Sequence, residues 1–146
     1  MLTPGCSDPW GGKALRSGMG AQCRLPMRQY SWADASALLQ SWGCDVYAAD
    51  AYGQVSHDEV EWSRPSALVV GSEAHGLSKE VRDDPSVSLC RIPLGSAEVQ
   101  AGNTECLESL NAAVAGSVIL FEAQRQRRMA AAHSSAVSAQ ADQAGT

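Results

Sequence analysis

The sequence predicts an α/β fold on a mainly parallel sheet, and three observations carry that prediction. Apolar runs at "CDVYAAD" (44–50), "SALVVG" (66–71) and "VSLCRIPL" (87–94) have the length and composition of buried strands. Segments with helical spacing alternate with them, as in a sheet with crossover helices. Glycines close or follow two of the runs, Gly71 and Gly95, where a parallel sheet turns at its carboxyl edge.

The elements follow in chain order. Residues 1–12, "MLTPGCSDPWGG", are rich in Pro and Gly and read as loop. "KALRSGMGAQ" (13–22) suits a short helix ending at glycines, and "CRLPM" (23–27) is a short apolar run closed by proline. "SWADASALLQSWG" (31–43) is a helix. Ser31 can cap it with Asp34 three residues on, Ala35, Leu38, Leu39 and Trp42 share a face, and Gly43 stops it. "LSKEVRDD" (77–84) is a short helix between the second and third strands. "GSAEVQAGNTEC" (95–106) is a loop of small residues. A long helix then covers "ESLNAAVAGSVILFEAQRQRR" (108–128), with Leu107, Leu110, Val114, Val118 and Phe121 as an apolar stripe. Beyond Met129 the chain is Ala, Ser, Gln and Gly, which reads as a disordered tail or frayed helix over 130–146.

Composition narrows the function. The 146 residues suffice for one core, and 45% of them are hydrophobic. A net charge of −5 argues against a broad nucleic-acid-binding face but leaves room for a local basic patch. No apolar run reaches the roughly 18 residues of a membrane span, so no membrane partner is expected. The first residues form no apolar signal segment. Cys6, Cys23, Cys44, Cys90 and Cys106 are scattered, and His57, His75 and His133 make no close pair. Zinc sites need close ligand pairs, so no metal is expected and the thiols read as free in a reducing compartment.

Three stretches can carry chemistry. "VVGSEAHGLS" (69–78) runs from a strand into a turn bracketed by Gly71 and Gly76, with Glu73 between them. Glycines there admit close backbone approach, and a carboxylate can take a proton or a hydrogen bond. Taken alone, the stretch reads first as a plain strand-to-helix turn with a solvated Glu73. It is not a phosphate loop, since G-x-x-x-x-G-K-[ST] is missing. "RIPLG" (91–95) ends a strand, where backbone amides can hold an adenine ring between Ile92 and Leu94. Ser109, Leu110 and Asn111 open the long helix, where free amides favour polar or anionic groups. Taken alone, Ser109 there is an N-cap.

Together "GSEAHGLS", "IPL" and "ESLNAAVAGSVILFEAQRQ" resemble motifs 2 and 3 of the SpoU/TrmH family, RNA 2′-O-ribose methyltransferases of the SPOUT class. The family forms are close to G-N-E-G-x-G-L, I-P-M and E-S-L-N-V-A-V-A. "TPGCSDPWGGKALRSGMGAQCRLP" also resembles the stretch between motifs 1 and 2, and the wording is nearest to mitochondrial rRNA methyltransferases and their bacterial relatives. The resemblance implies S-adenosylmethionine as cofactor, held by Gly71, Gly76, Ile92, Leu94 and Leu110. It implies Glu73, Ser109 and Asn111 as catalytic candidates. It further implies a trefoil-knotted fold, a homodimer, and RNA as substrate, with rRNA favoured over tRNA. The expected compartment is intracellular: an organelle in a eukaryote, the cytoplasm in a bacterium.

The family's motif 1, N-x-G-x-x-x-R-x-A, is not in this chain, and Leu2 aligns with the tail of the family's second strand. The expectation is therefore a partial methyltransferase domain over 1–129, lacking its first strand and helix. Its rival is a catalytically inactive dimerisation or RNA-binding module. A third reading, a generic nucleotide-binding domain, is opposed by the missing phosphate loop. Motif 2 also carries Ser72 and Ala74 in place of Asn and Gly, and Ala74 would crowd the loop if its φ were positive. Lys13, Arg16, Arg24 and Arg28, and Arg125, Arg127 and Arg128, can meet RNA phosphates. The latter three equally suit a helix C-terminus.

Overall fold

The computed structural model describes residues 1–94 and 110–144, with side chains through residue 134. It contains two compact units, Met1–Trp42 and Gly43–Thr146, within what the sequence treats as one domain.

In the first unit, α1 is Gly12–Ser17 and a short 3-10 turn follows at Ala21–Cys23. The run 23–27 forms no strand. Leu2 bridges Gln29 in parallel, donating its amide to the Arg28 carbonyl (2.9 Å) and accepting from the Tyr30 amide (2.9 Å). α2 is Trp32–Ser41. Ser31 caps it, accepting from the Asp34 amide at 3.1 Å and donating to the Asp34 carboxylate at 2.7 Å. The buried face of α2 is Trp32, Ala35, Ser36 and Leu39. Trp42, expected on that face, sits past the last turn and is 58% exposed.

The second unit carries the sheet. β1 is Asp45–Ala49, β2 Val55–Ser56, β3 Ser66–Val69 and β4 Val87–Arg91, all parallel in the order β2-β4-β1-β3. β1 lies centrally, with Tyr47 opposite Leu68 and Ser88. α3 is Lys79–Arg82, capped by Ser78. α4 is Ala112–Ala144, so helical backbone continues past Met129. The core joins Val60, Trp62, Cys90, Ile119 and Ala123, with Tyr47 and Leu68 packed against them. Tyr47 and Trp62 meet edge-tilted, ring centres 5.0 Å apart.

α4 departs from expectation in two ways. It starts at Ala112 rather than 108, because Asn111 is its cap. Its buried face is Gly116, Ile119 and Ala123, not the larger stripe. Val114, Val118 and Phe121 face away and are 49%, 36% and 73% exposed. Gly116 and Ala123 let the helix lie near the sheet while Ile119 fills the core between them; a Cβ on Gly116 would stand 3.4 Å from Val70 Cγ2. Gln126 and Arg127 fasten the far half of α4. Gln126 accepts from the Trp62 amide (2.9 Å) and donates to the Val60 carbonyl (3.0 Å), and Arg127 donates to the Trp62 carbonyl (2.9 Å).

Candidate functional site

The carboxyl ends of β1, β3 and β4 open into one cleft of about 830 Å³. Its walls are residues 49–52 after β1, 70–73 with Gly76 after β3, 90–94 at the end of β4, and 110–112 leading into α4. Parallel strands all present their turns at this edge, which is why distant segments meet there. A second groove of about 620 Å³ runs along α4 past His57, Val118 and Phe121. It is more open and apolar and takes in only His57 from the strand ends, so the cleft is the better place for a small ligand.

The loop after β3 is a tight backbone hairpin. Ser72 donates to the Gly76 carbonyl (2.9 Å), Gly76 donates back to Ser72 (2.8 Å), and Ser72 Oγ accepts from the His75 amide (3.1 Å). Gly76 has φ +64°, a conformation that favours glycine. Gly71 is required for a different reason than ligand approach. A Cβ there would overlap the Gly76 carbonyl and stand 2.6 Å from the Leu77 nitrogen. Ala74 is not strained, since Met19 is the one non-glycine with positive φ among the described residues.

The hairpin pushes Glu73 outward, where its carboxylate accepts a hydrogen bond from Asn111 Nδ2. The other end of the same amide caps α4, with Asn111 Oδ1 accepting from the amides of Ala113 (2.9 Å) and Val114 (3.3 Å). Asn111 thus ties the loop after β3 to the start of α4. Half-buried Ile92, Leu94 and Leu110 supply apolar wall. Seven of the eight residues singled out from sequence therefore line one cleft: Gly71, Glu73, Gly76, Ile92, Leu94, Leu110 and Asn111. The eighth, Ser109, lies outside the described residues.

Sequence reasoning missed four polar residues in the cleft. Asp50, with its side chain only 6% exposed, pairs with Arg82 Nη2 at 2.7 Å and accepts from the Tyr52 amide at 2.9 Å. Arg91 Nη1 donates to the carbonyls of Gly53 (2.7 Å) and Gln54 (3.1 Å). Tyr52 is 84% exposed at the rim. The available signal was position: Asp50 is the first residue past β1, at the sheet edge where ligands bind. Cys90 lies in the cleft floor, and burial pushes its thiol up to about 11, so it stays protonated at neutral pH.

Two of the three arginines near the end of the predicted helix have protein partners. Arg125 grips Glu122 through Nε and Nη2, both at 2.7 Å, and Arg127 holds the Trp62 carbonyl. In the first unit, Arg28 lies over the Tyr30 ring, 5.3 Å from its centre. Among the described residues no group of three or more His, Cys, Asp or Glu gathers as a metal site, and no helix is long and apolar enough to cross a membrane.

Residues 1–121 match the SpoU rRNA Methylase family. The chain is 40% identical over 118 residues to an uncharacterized tRNA/rRNA methyltransferase of Mycobacterium sp. strain KMS, covering 79% of this chain and 34% of that protein. It therefore spans about a third of the length of the curated relatives it matches. Its fold superposes on the SpoU methyltransferase AviRb of Streptomyces viridochromogenes, solved with AdoMet, at a TM-score of 0.71 and 27% identity, over 88% of this chain and 49% of that one. An AdoMet-bound rRNA methyltransferase from Sinorhizobium meliloti gives 0.68 and 30%, over 85% and 44%.

Proposed function

The chain belongs to the SpoU rRNA methylase family, and from that premise we propose that it forms the cofactor-binding part of an S-adenosylmethionine-dependent RNA 2′-O-ribose methyltransferase. The observation that carries this reading is the single cleft that gathers the motif 2 loop, the Ile92–Leu94 strand end and the start of α4. Its lining suits an amphipathic nucleoside. Ile92, Leu94 and Leu110 offer apolar contact for a purine, and Asp50, Glu73 and Arg82 add charged groups to the same lining. The volume of about 830 Å³ is within the range of small-molecule sites.

When bound, the cofactor supplies an electrophilic methyl group. This chain's residues would hold and orient the reactants. Asn111 fixes the Glu73 carboxylate at the cleft mouth, where it can accept a hydrogen bond or proton from a ribose hydroxyl. A hydroxyl is a weak nucleophile at neutral pH, so such an acceptor and in-line placement are what the protein must provide. Ser109 belongs to the same proposal as a polar neighbour of Asn111. rRNA is favoured over tRNA on the wording of the motifs. A homodimer, with the trefoil threading implied by the motifs, completes the proposal. The exposed apolar face of α4 supports the dimer, since a face of Val114, Val118 and Phe121 is costly in water.

Calorimetry with S-adenosylhomocysteine on the full chain tests the cofactor reading, with saturable binding expected. Tritiated methyl transfer to rRNA and tRNA, followed by mapping of the modified ribose, tests the rest. RNA binding and self-association without any cofactor binding would favour the inactive-module reading.

A further inference from the structure

The charged groups of the cleft are not equivalent. Arg91 is turned onto the carbonyls of Gly53 and Gln54 and fixes the turn after β1. Glu73 is held by Asn111. Asp50 is occupied on both oxygens, by the Tyr52 amide and by Arg82. Arg82 differs from the two carboxylates in charge and from Arg91 in its partner, a carboxylate at the cleft wall instead of backbone carbonyls of a turn. It comes from the end of α3, its side chain is 45% exposed, and one nitrogen, Nη2, meets Asp50 at 2.7 Å. A guanidinium carries five N–H donors in a rigid fork, so the grip on Asp50 fixes its plane and leaves donors for a ligand. A Cβ on Gly76 would stand 3.6 Å from Arg82 Nη2, so the side-chain-free face of the motif 2 loop opens on this group.

We propose that Arg82 is the anion-binding residue of the cleft and that Asp50 is its positioning residue. The ligand group is an oxyanion, either the carboxylate of a bound cofactor or a phosphate of bound RNA. The proposal rests on the methyltransferase reading for which ligands enter the cleft. A nearly buried Asp50 holds the guanidinium pre-oriented, so little side-chain freedom is lost when an oxyanion docks. Asp50 itself is a poor site for a ligand, because its side chain is only 6% exposed.

The test compares three probes on the full chain: S-adenosylhomocysteine, 5′-methylthioadenosine, which lacks the amino-acid part, and a short single-stranded RNA. If the cofactor carboxylate is the ligand, Arg82→Ala weakens S-adenosylhomocysteine about tenfold or more and leaves methylthioadenosine within about twofold. If a phosphate is the ligand, the same variant weakens RNA binding and flattens its salt dependence, with both nucleosides unchanged. Either result supports the proposal, and Asp50→Asn should give a smaller loss in the same arm. Equal loss of both nucleosides with RNA unchanged, or no loss with any probe, overturns it. Should Arg82→Ala unfold, Arg82→Lys decides, since it keeps the charge and loses the fork. If the unsubstituted chain binds neither nucleoside, the methyltransferase reading fails, and the RNA arm alone judges Arg82.

Discussion

Asn111 performs two tasks with one amide, and the tasks can be separated by substitution. Its Oδ1 caps α4 while its Nδ2 holds Glu73. Asn111→Ala should lower stability by about 1 kcal/mol in urea unfolding, the usual cost of a lost cap. Asn111→Ser keeps a capping oxygen but cannot reach Glu73. It should stay within about 0.5 kcal/mol of the parent chain while losing cofactor affinity as the alanine variant does. A serine variant as unstable as the alanine one would refute the capping role. Glu122 makes a different prediction. The two hydrogen bonds from Arg125, then the one from Gln126, hold its carboxyl down at about 2 against an ordinary 4.5. The folded value lies below the unfolded one, so the stabilisation is complete above the unfolded value and is lost as pH falls toward the folded one. Urea midpoints should therefore drop less on acidification in Glu122→Gln than in the parent chain. The cleft residues legible from sequence were those in the two motifs and at the β4 end, because glycine turns and a polar helix start announce themselves locally. Asp50 and Arg82 are 32 positions apart and pair only through the fold, so no local pattern could join them.

At the scale of elements, α4 explains both what the sequence reveals and what it conceals. Its apolar positions surround the helix, and the larger stripe of Val114, Val118 and Phe121 dominates any periodicity count. The sheet instead receives Gly116, Ile119 and Ala123, two small residues that flank one large apolar side chain packed in the core. Gly116→Ala tests that packing. Alanine improves helix propensity by about 1 kcal/mol, and the added methyl meets Val70 Cγ2 at 3.4 Å. Val70 is 41% exposed and can yield, so a net gain of about 0.5 kcal/mol is expected in urea unfolding. A net loss would mean the contact is tighter than the glycine geometry indicates. β1, β3 and β4 were legible because each is an apolar run bounded by turn residues. β2, only Val55–Ser56, is too short to carry a period-2 pattern and exists through its pairing with Cys90 and Arg91.

For the whole molecule, the exposed stripe on α4 is the feature that one chain leaves unexplained. Phe121 is 73% exposed, and Val114 and Val118 extend the face along two turns of helix. A continuous apolar face of this kind is better covered than solvated, and the proposed homodimer covers it in a two-fold contact. The groove beside it is bordered by His57, Glu122 and Arg125, which gives an apolar centre a polar rim. Phe121→Glu places a charge in that centre and leaves the buried Gly116, Ile119 and Ala123 face untouched. Light scattering should then report two chains for the parent and one for the variant, with unchanged far-UV circular dichroism. The variant also separates assembly from cofactor binding. S-adenosylhomocysteine binding that survives in the monomer would show that a single chain holds the cofactor. Loss of binding together with the dimer would mean that the second copy completes the site.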